Sequence, residues 1–244
     1  MNRRPDIVPI VLASLRRRCG PMRIAICRMR IPPGAITLHG RRCLVIGYGH
    51  IGSRVARTCR ALGMVDIMAA RRQLPEGVTG DCMHDEAAGV TVYAVSSLHQ
   101  LLPKADVVFI CTPGTAATVG LLGAAELALL PRSCHVVNVG RATAIDEDAL
   151  WEWVNIDEGR RGSYAADVWW TEPPMSGDLT QHPISYLGKY DWPSLHNVVC
   201  SAHSGGGMGM AEQEHGRVRE CMNVVEATMG KRSWPRATDL DAGY

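Results

Sequence analysis

The chain has 244 residues, of which 46% are hydrophobic and 20% charged. That content is enough for one large apolar core or two small ones, and no stretch approaches the apolar length that a membrane-spanning helix needs. Nine cysteines are scattered without a C-x-x-C pair, which favours neither a disulfide framework nor a zinc site. We therefore expect a soluble protein of a reducing compartment, the cytoplasm, with no metal.

The charge is distributed unevenly along the chain. Residues 1–42 hold ten arginines and one acid, Asp6, so this segment carries +9 while the whole chain carries +2. Such a basic segment is typical of nucleic-acid binding, of a membrane surface or of a transit peptide. The alternative is an apolar helix at residues 7–15 that ends in the solvated cluster 16–18, because cations are favourable at a helix C-terminus. We favour this alternative and expect neither nucleic acid nor membrane as a partner.

The first predicted unit is a buried strand at residues 43–46, followed by a glycine-rich loop and a helix. Gly47, Gly49 and Gly52 form the pattern G-x-G-x-x-G, and apolar residues recur at helical spacing from residue 55. Gly49 would let the backbone approach a pyrophosphate, and Gly52 would let the helix pack closely on the strand. The motif alone also fits a tight turn without a ligand, but its flanking strand and helix favour dinucleotide binding.

Strands and helices alternate along the rest of the chain, which predicts a parallel sheet with helices on both faces. Further strands are predicted at 64–70, 91–95, 105–111, 134–138, 163–168 and 197–201. Helical segments are predicted at 97–102, at 116–130, from 146 onward and at 210–229. Residues 171–195, rich in Pro, Gly and Trp, read as a long loop, and such loops in compact domains are usually functional or disordered. The predicted fold class is α/β, a doubly wound parallel (Rossmann) sheet.

Four motifs in chain order resemble the D-isomer-specific 2-hydroxyacid dehydrogenase family over residues 40–229. They are I-G-Y-G-x-I-G at 46–52, V-V-N-V-G-R at 136–141 with I-D-E-D-A-L at 145–150, A-D-V-W-W-T-E-P at 166–173, and N-V-V-C-S-A-H at 197–203. The resemblance implies an oxidoreductase that transfers a hydride between a nicotinamide cofactor and a small 2-keto or 2-hydroxy acid, similar to glyoxylate or hydroxypyruvate reductases. It also implies a homodimer.

The resemblance further implies a division of the chain into three parts. Residues 1–42 form a basic segment with an interdomain-type helix, residues 43–203 the dinucleotide-binding domain, and residues 204–244 a crossing helix and tail. Only a remnant of the family's second, substrate-binding domain is then present.

Reduction of a 2-keto acid needs a cation for the carboxylate, an acid for the developing alkoxide, and a partner that keeps this acid charged. Arg141 follows a predicted strand and can grip a carboxylate, while His203 follows the last strand and can donate a proton. Glu172 is the expected partner of His203. A surface arginine, a structural histidine and a solvated glutamate remain the alternatives.

By the same resemblance, the cofactor is expected to contact residues of the glycine loop and of the strand ends. These are Gly47, Gly49, His50, Ile51, Gly52, Arg71, Arg72, Cys111, Thr112, Pro113, Thr118, Val139, Asp167, His203 and Gly205. In the family, the counterpart of Asp167 faces the nicotinamide carboxamide, although a strand-end acid could instead cap a loop.

The residues at the end of the second predicted strand indicate whether the cofactor carries a 2′-phosphate. An NAD-preferring chain carries an acid there, about twenty residues beyond the glycines, whereas NADP favours a cation. Ala70 occupies that position, and Arg71 and Arg72 follow it. This pattern predicts NADP rather than NAD, unless the two arginines are merely solvated. Asp66 would be a rival only in a shifted register, because it lies inside the predicted strand.

Two functional classes therefore remain. The first is an NADP-dependent reductase of a small 2-keto acid, favoured by the presence of Arg141, Glu172 and His203 together. The second is a catalytically silent dinucleotide-binding regulatory protein, resembling the corepressors that share this fold.

Overall fold

The computed structural model describes residues 37–156, 162–171, 187–201, 203 and 205. Its strands are β1 (Arg42–Ile46), β2 (Val65–Arg71), β3 (Cys82–Asp85), β4 (Val90–Ala94), β5 (Val107–Ile110), β6 (His135–Asn138), β7 (Ser163–Ala166) and β8 (Val198–Cys200). Its α-helices are α1 (His50–Ala61), α2 (Leu98–Leu101), α3 (Ala124–Leu129) and α4 (Glu147–Asn155). Short 3-10 helices occupy Val95–Ser97, Leu102–Lys104, Ala142–Ala144 and Trp192–Ser194.

The strands form one eight-stranded sheet in the order β3-β4-β2-β1-β5-β6-β7-β8. All neighbouring pairs are parallel except β3 and β4. The chain winds outward from β1 in both directions, so the carboxyl ends of the parallel strands meet at one edge, called here the carboxyl edge. The order reverses between β1 and β5, where doubly wound sheets bind their ligands. The predicted doubly wound fold is confirmed.

The apolar residues of β1 alternate between two hydrophobic clusters. Leu44 and Ile46 belong to the larger cluster with residues of α4, whereas Cys43 and Val45 belong to the smaller cluster with residues of α1. Adjacent strand residues point to opposite faces, so both faces of the sheet are covered by helices. Burial raises the pKa of the Cys134 thiol to about 12, consistent with cysteines that act as small hydrophobes.

Strand β3 was not predicted, and it makes the sheet less uniform than expected. It pairs antiparallel with β4, with Asp85 opposite Val90. Its sequence, C-M-H-D, has only one apolar residue in a partly buried position, so it carries little strand signal of its own. The hairpin turn at residues 86–89 brings it against β4, and this long-range pairing makes it a strand.

Two helices also differ in their bounds from the predicted ones. Of the helical stretch expected at 116–130, only Ala124–Leu129 is an α-helix, because residues 116–120 form turns that end at Gly120 with φ 64°. The helix expected from residue 146 begins at Glu147, capped by the Asp146 carboxylate, which accepts from the Ala149 N–H at 2.8 Å.

The last part of the predicted long loop, residues 187–195, packs closely on α4. Trp192 is fully buried and stacks on Trp170 with ring centroids 5.4 Å apart. The buried carboxylate of Glu147 accepts from the Lys189 N–H at 2.6 Å and from the Trp192 indole N–H at 3.3 Å. These contacts hold the segment that leads into β8 on α4.

Several predictions lie outside the described residues: the helices at 7–15 and 210–229, Glu172, and most of the loop at 171–195. The three-part division of the chain likewise stays a prediction. No helix in the described ranges has both the length and the apolarity required to cross a membrane.

Candidate dinucleotide-binding and active site

The glycine loop begins where β1 ends, between the carboxyl ends of β2 and β5. Gly47 has φ 98°, and a Cβ on it would lie 2.8 Å from the backbone of Cys111. Its N–H donates to the Ala70 carbonyl at 2.8 Å. Only glycine fits this left-handed turn against the neighbouring backbone.

The other two glycines differ in what surrounds them. A Cβ on Gly49 would meet no atom within 4 Å, whereas a Cβ on Gly52 would lie 1.9 Å from the Gly47 carbonyl oxygen. Gly49 therefore faces open space, and Gly52 allows α1 to pack closely on the loop. Gly49 is also the N-cap of α1, which has no side-chain cap, so the first-turn N–H groups of the helix remain available to an anion. His50 and Ile51 are exposed beside them.

The carboxyl end of β2 has the residues that the sequence analysis singled out for the cofactor's 2′-phosphate. Ala70 is fully buried and pairs with Ile46, and Arg71 ends the strand partly buried. Arg72 follows as an exposed residue. Asp66 lies near the opposite end of β2 with φ 45°, so it is not at the carboxyl edge and is excluded as the ribose-binding acid.

The loop after β5 lies beside the glycine loop at the carboxyl edge. Thr112 is 8% exposed, and its hydroxyl oxygen is buried without a hydrogen-bond partner in the part of the chain that the structure describes. A buried hydroxyl without a partner is costly, so it is suited to bind a polar ligand group. The hydroxyl of Thr118 instead donates to the Pro113 carbonyl at 2.7 Å and accepts from the Thr115 N–H at 2.9 Å. Thr118 thus holds the loop itself.

Arg141 lies in the turn after β6, exposed at the carboxyl edge. The fully buried side chain of Asn138 spans this turn: its Oδ1 accepts from the Gly140 N–H and its Nδ2 donates to the Arg141 carbonyl, each at 3.1 Å. The Arg141 side chain runs past Gly114, where a Cβ would lie 3.0 Å from its Cγ. The N–H of Val139 donates to the Ile110 carbonyl at 3.1 Å.

Asn138 is a site residue that the sequence analysis missed. Its signal was an amide side chain directly after the apolar residues Val136 and Val137 at the end of a strand, which predicts a specific buried hydrogen-bond partner.

Asp167 follows β7 and hydrogen-bonds to the loop that follows β8. Its Oδ1 accepts from the Ser201 hydroxyl at 2.6 Å, and its Oδ2 accepts from the Gly205 N–H at 2.7 Å. This is the loop-capping arrangement that the sequence analysis left open for Asp167. His203 lies within the loop, exposed, with φ 49°. Left-handed backbone is uncommon in a non-glycine residue and is often found at functional sites.

The structure thus brings most of the predicted site residues to one edge of the sheet. Arg141, Asp167 and His203 follow the three neighbouring strands β6, β7 and β8, and the glycine loop follows β1 at the switch point. Among the described residues, no group of three or more His, Cys, Asp or Glu side chains could hold a metal ion. The open space at Gly49, the uncapped helix and the Thr112 hydroxyl fit a dinucleotide. These features define a dinucleotide-binding α/β domain.

Comparison with known proteins gives the family. Residues 24–205 match the model of the D-isomer specific 2-hydroxyacid dehydrogenase NAD-binding domain, and the chain belongs to this family. A D-3-phosphoglycerate dehydrogenase of Haemophilus influenzae is 30% identical over 184 residues, which are 75% of this chain and 39% of that protein. The chain therefore spans less than half the length of this relative.

Two solved structures have the same fold. One is a glycerate dehydrogenase related protein from Thermoplasma acidophilum, with 27% identity, a TM-score of 0.55, and coverage of 72% of this chain and 52% of that one. The other is described as a putative formate dehydrogenase from Pyrobaculum aerophilum, with 25% identity, a TM-score of 0.63, and coverage of 97% and 66%. The family resemblance found in the sequence is confirmed.

Proposed function

We propose that this chain is the dinucleotide-binding part of a reductase that transfers a hydride between NADP(H) and a small 2-keto acid of the glyoxylate or hydroxypyruvate class. The observation that carries the proposal is the position of Arg141 and His203 at the ends of β6 and β8. Strands two positions apart in a sheet are separated by roughly 10 Å, a span that a small keto acid and the two side chains can bridge.

Each reacting residue has a task in this scheme. The guanidinium of Arg141 binds the substrate carboxylate with two parallel hydrogen bonds, which orients the keto group. His203 donates a proton to the carbonyl oxygen as negative charge develops there. The bound nicotinamide supplies the hydride. By the family resemblance, Glu172 is the carboxylate partner of His203, and the counterpart of Asp167 in the family faces the nicotinamide carboxamide.

The preference for NADP rests on the end of β2. Ala70 contacts the glycine loop directly, because its carbonyl accepts from the Gly47 N–H at 2.8 Å. A ribose bound to this loop would therefore lie beside Ala70, whose methyl side chain cannot accept a hydrogen bond from the 2′-hydroxyl. Arg71 and Arg72 come next along the chain, and a guanidinium pairs well with a phosphate.

The setting of the enzyme completes the proposal. The described cysteines are all free, which suits the reducing cytoplasm. We place the protein there as a homodimer that acts on a small-molecule acid, without a nucleic-acid or membrane partner.

A catalytically silent regulatory protein is the second candidate function. Arg141 and His203 are both exposed to water, whereas hydride transfer is favoured by a site from which water is excluded. The open glycine loop supports dinucleotide binding in either case.

The decisive experiment follows NADPH oxidation with glyoxylate, hydroxypyruvate and pyruvate, for the wild type and for His203→Ala. Proton transfer by a positioned side chain is worth about a hundredfold to ten-thousandfold in rate, so the variant should lose nearly all activity. NADPH binding by both proteins is measured by fluorescence titration. If both bind NADPH but neither exceeds the rate without enzyme, the regulatory function replaces the reductase.

A further inference from the structure

The glycine loop is attached to the unpredicted strand β3 through a single side chain. Tyr48 lies between the first two glycines of the motif, and its hydroxyl donates to Asp85 Oδ2 at 2.8 Å. Its ring packs against the smaller hydrophobic cluster. Tyr48 and Asp85 are 37 residues apart in the chain, and the hairpin of β3 and β4 brings them together.

Asp85 holds two parts of the structure at once. While Oδ2 accepts from Tyr48, Oδ1 accepts from the Ala88 N–H at 3.1 Å, inside the hairpin turn. The Tyr48 hydroxyl, followed by this turn amide, lowers the pKa of Asp85, so the carboxylate is charged at neutral pH. Burial and the hydrogen bond to Asp85 raise the pKa of Tyr48 to about 12, so the phenol keeps the proton that it donates.

A second contact joins the same hairpin to the end of α1, the helix that follows the glycine loop. Arg60, in the last turn of α1, donates from Nη1 to the Gly89 carbonyl at 3.2 Å. Gly89 closes the hairpin turn with φ 61°. The hairpin therefore braces the motif at its loop through Tyr48 and at its helix through Arg60.

We propose that Tyr48 and Asp85 are positioning residues for the dinucleotide, whose bond holds the glycine loop in its binding conformation. Glycine backbone loses much conformational freedom when it is ordered, and a loop with Gly47 and Gly49 has to be ordered before its N–H groups can face a pyrophosphate. A tether to a hydrogen-bonded hairpin removes part of that cost before the ligand arrives, which strengthens binding. This inference rests on dinucleotide binding by the glycine loop and is independent of the hydride transfer.

Tyr48→Phe tests the proposal, because it removes one hydroxyl and leaves the ring and the hairpin turn in place. The matched control is Tyr190→Phe, which removes a tyrosine–aspartate bond of the same 2.8 Å length, to Asp148 on α4. A hydrogen bond to a charged group contributes enough that Tyr48→Phe should raise the Kd for NADPH by about threefold to tenfold. The control should leave this Kd unchanged.

Substitutions of Asp85 separate positioning from general stability. Asp85→Asn keeps one oxygen for the Tyr48 proton, but it loses the charge and sets its NH2 group against the Ala88 N–H, so it should weaken NADPH binding less than Asp85→Ala does. Asp85→Ala should weaken binding as Tyr48→Phe does. Adding Tyr48→Phe to Asp85→Ala should then have no further effect on the Kd, because the bond is already absent. Thermal unfolding of the ligand-free proteins shows whether each variant is folded.

The outcomes distinguish this inference from the proposed function. If wild type binds NADPH and Tyr48→Phe binds it equally well while folded, the positioning role is wrong and the proposed function stands. An additive effect of Tyr48→Phe in the Asp85→Ala background would overturn the inference too, because the hydroxyl would then act without Asp85. If the wild type binds neither NADPH nor NADH, the proposed function and this inference both fail.

Discussion

Asn138 determines where Arg141 lies: its side-chain amide donates to the Arg141 carbonyl at 3.1 Å and its oxygen accepts from the Gly140 N–H between them. The amide is fully buried at the end of β6. Because Asn138 binds both the Gly140 N–H and the Arg141 carbonyl, the turn has little conformational freedom. The backbone of Arg141 therefore has a defined position at the carboxyl edge.

Asn138→Ala should therefore destabilise the protein and weaken substrate binding together. The substitution leaves the Gly140 N–H without its partner, and an unsatisfied buried group costs about 1–3 kcal/mol. Urea unfolding measures the loss, and the KM for the keto acid should rise. Asn155→Ala is the control, because Asn155 also donates to a backbone carbonyl, that of Trp151 at 2.9 Å, but its side chain is only partly buried. Equal losses in the two variants would contradict the special role of Asn138.

Gly49 and Gly52 should respond oppositely to alanine. Gly49→Ala adds a methyl group in open space, so stability should stay near wild type while NADPH affinity falls by about tenfold or more, because the methyl group blocks the pyrophosphate. Gly52→Ala places a Cβ 1.9 Å from the Gly47 carbonyl oxygen and should lower stability by about 1–3 kcal/mol. Thermal unfolding and fluorescence titration give the two quantities. Unchanged NADPH affinity in Gly49→Ala would mean that the pyrophosphate does not lie on this loop.

The double substitution of Arg71 and Arg72 by alanine should abolish the preference for NADPH over NADH. The reason is that a 2′-phosphate would lose its cationic partners, while the NADH ribose has no phosphate to lose. Titration with both cofactors measures the ratio of the two dissociation constants. Arg132→Ala serves as control, because Arg132 lies in the turn before β6, at the opposite edge of the sheet. Equal affinities in the wild type would refute the predicted preference.

The ion pair of Arg42 and Asp106 should give the stability a specific pH dependence. Burial acts to raise the pKa of Asp106, but hydrogen bonds from Arg42, including its N–H at 2.8 Å, outweigh it and hold this pKa below the usual 3.8. A carboxyl group whose pKa is lower in the folded state stabilises the fold above its unfolded pKa. This contribution is lost as the pH falls through the folded pKa.

Asp106→Asn should consequently be less stable than wild type at neutral pH, by at most about 1 kcal/mol because the Arg42 side chain is 41% exposed and solvent screens the pair. The difference should shrink below pH 3.8. Urea unfolding over the pH series tests this expectation. Asp148→Asn, which breaks an exposed pair with Lys189, should have a much smaller effect throughout. A difference for Asp106→Asn that did not change with pH would contradict the electrostatic origin.

The sequence by itself determined the family, the doubly wound sheet and the seven strands that were predicted from their apolar residues. These features depend on patterns within a few residues of one another. An apolar run such as 43–46 is buried in any arrangement of the sheet, and G-x-G-x-x-G permits few backbone conformations. Local chemistry was sufficient there, because neighbouring residues impose most of the constraint.

Only the tertiary structure decided the contacts that join distant segments. Strand β3 forms because β4 offers it a partner, and Tyr48 acquires its role only when the hairpin places Asp85 2.8 Å away. From the sequence, the segment 187–195 is only part of a loop. In the structure, the Lys189 backbone N–H and the Trp192 indole N–H donate to the buried carboxylate of Glu147. Such pairings cost conformational entropy of the chain, and only the contacts of the complete fold offset this cost. No local pattern therefore encodes them.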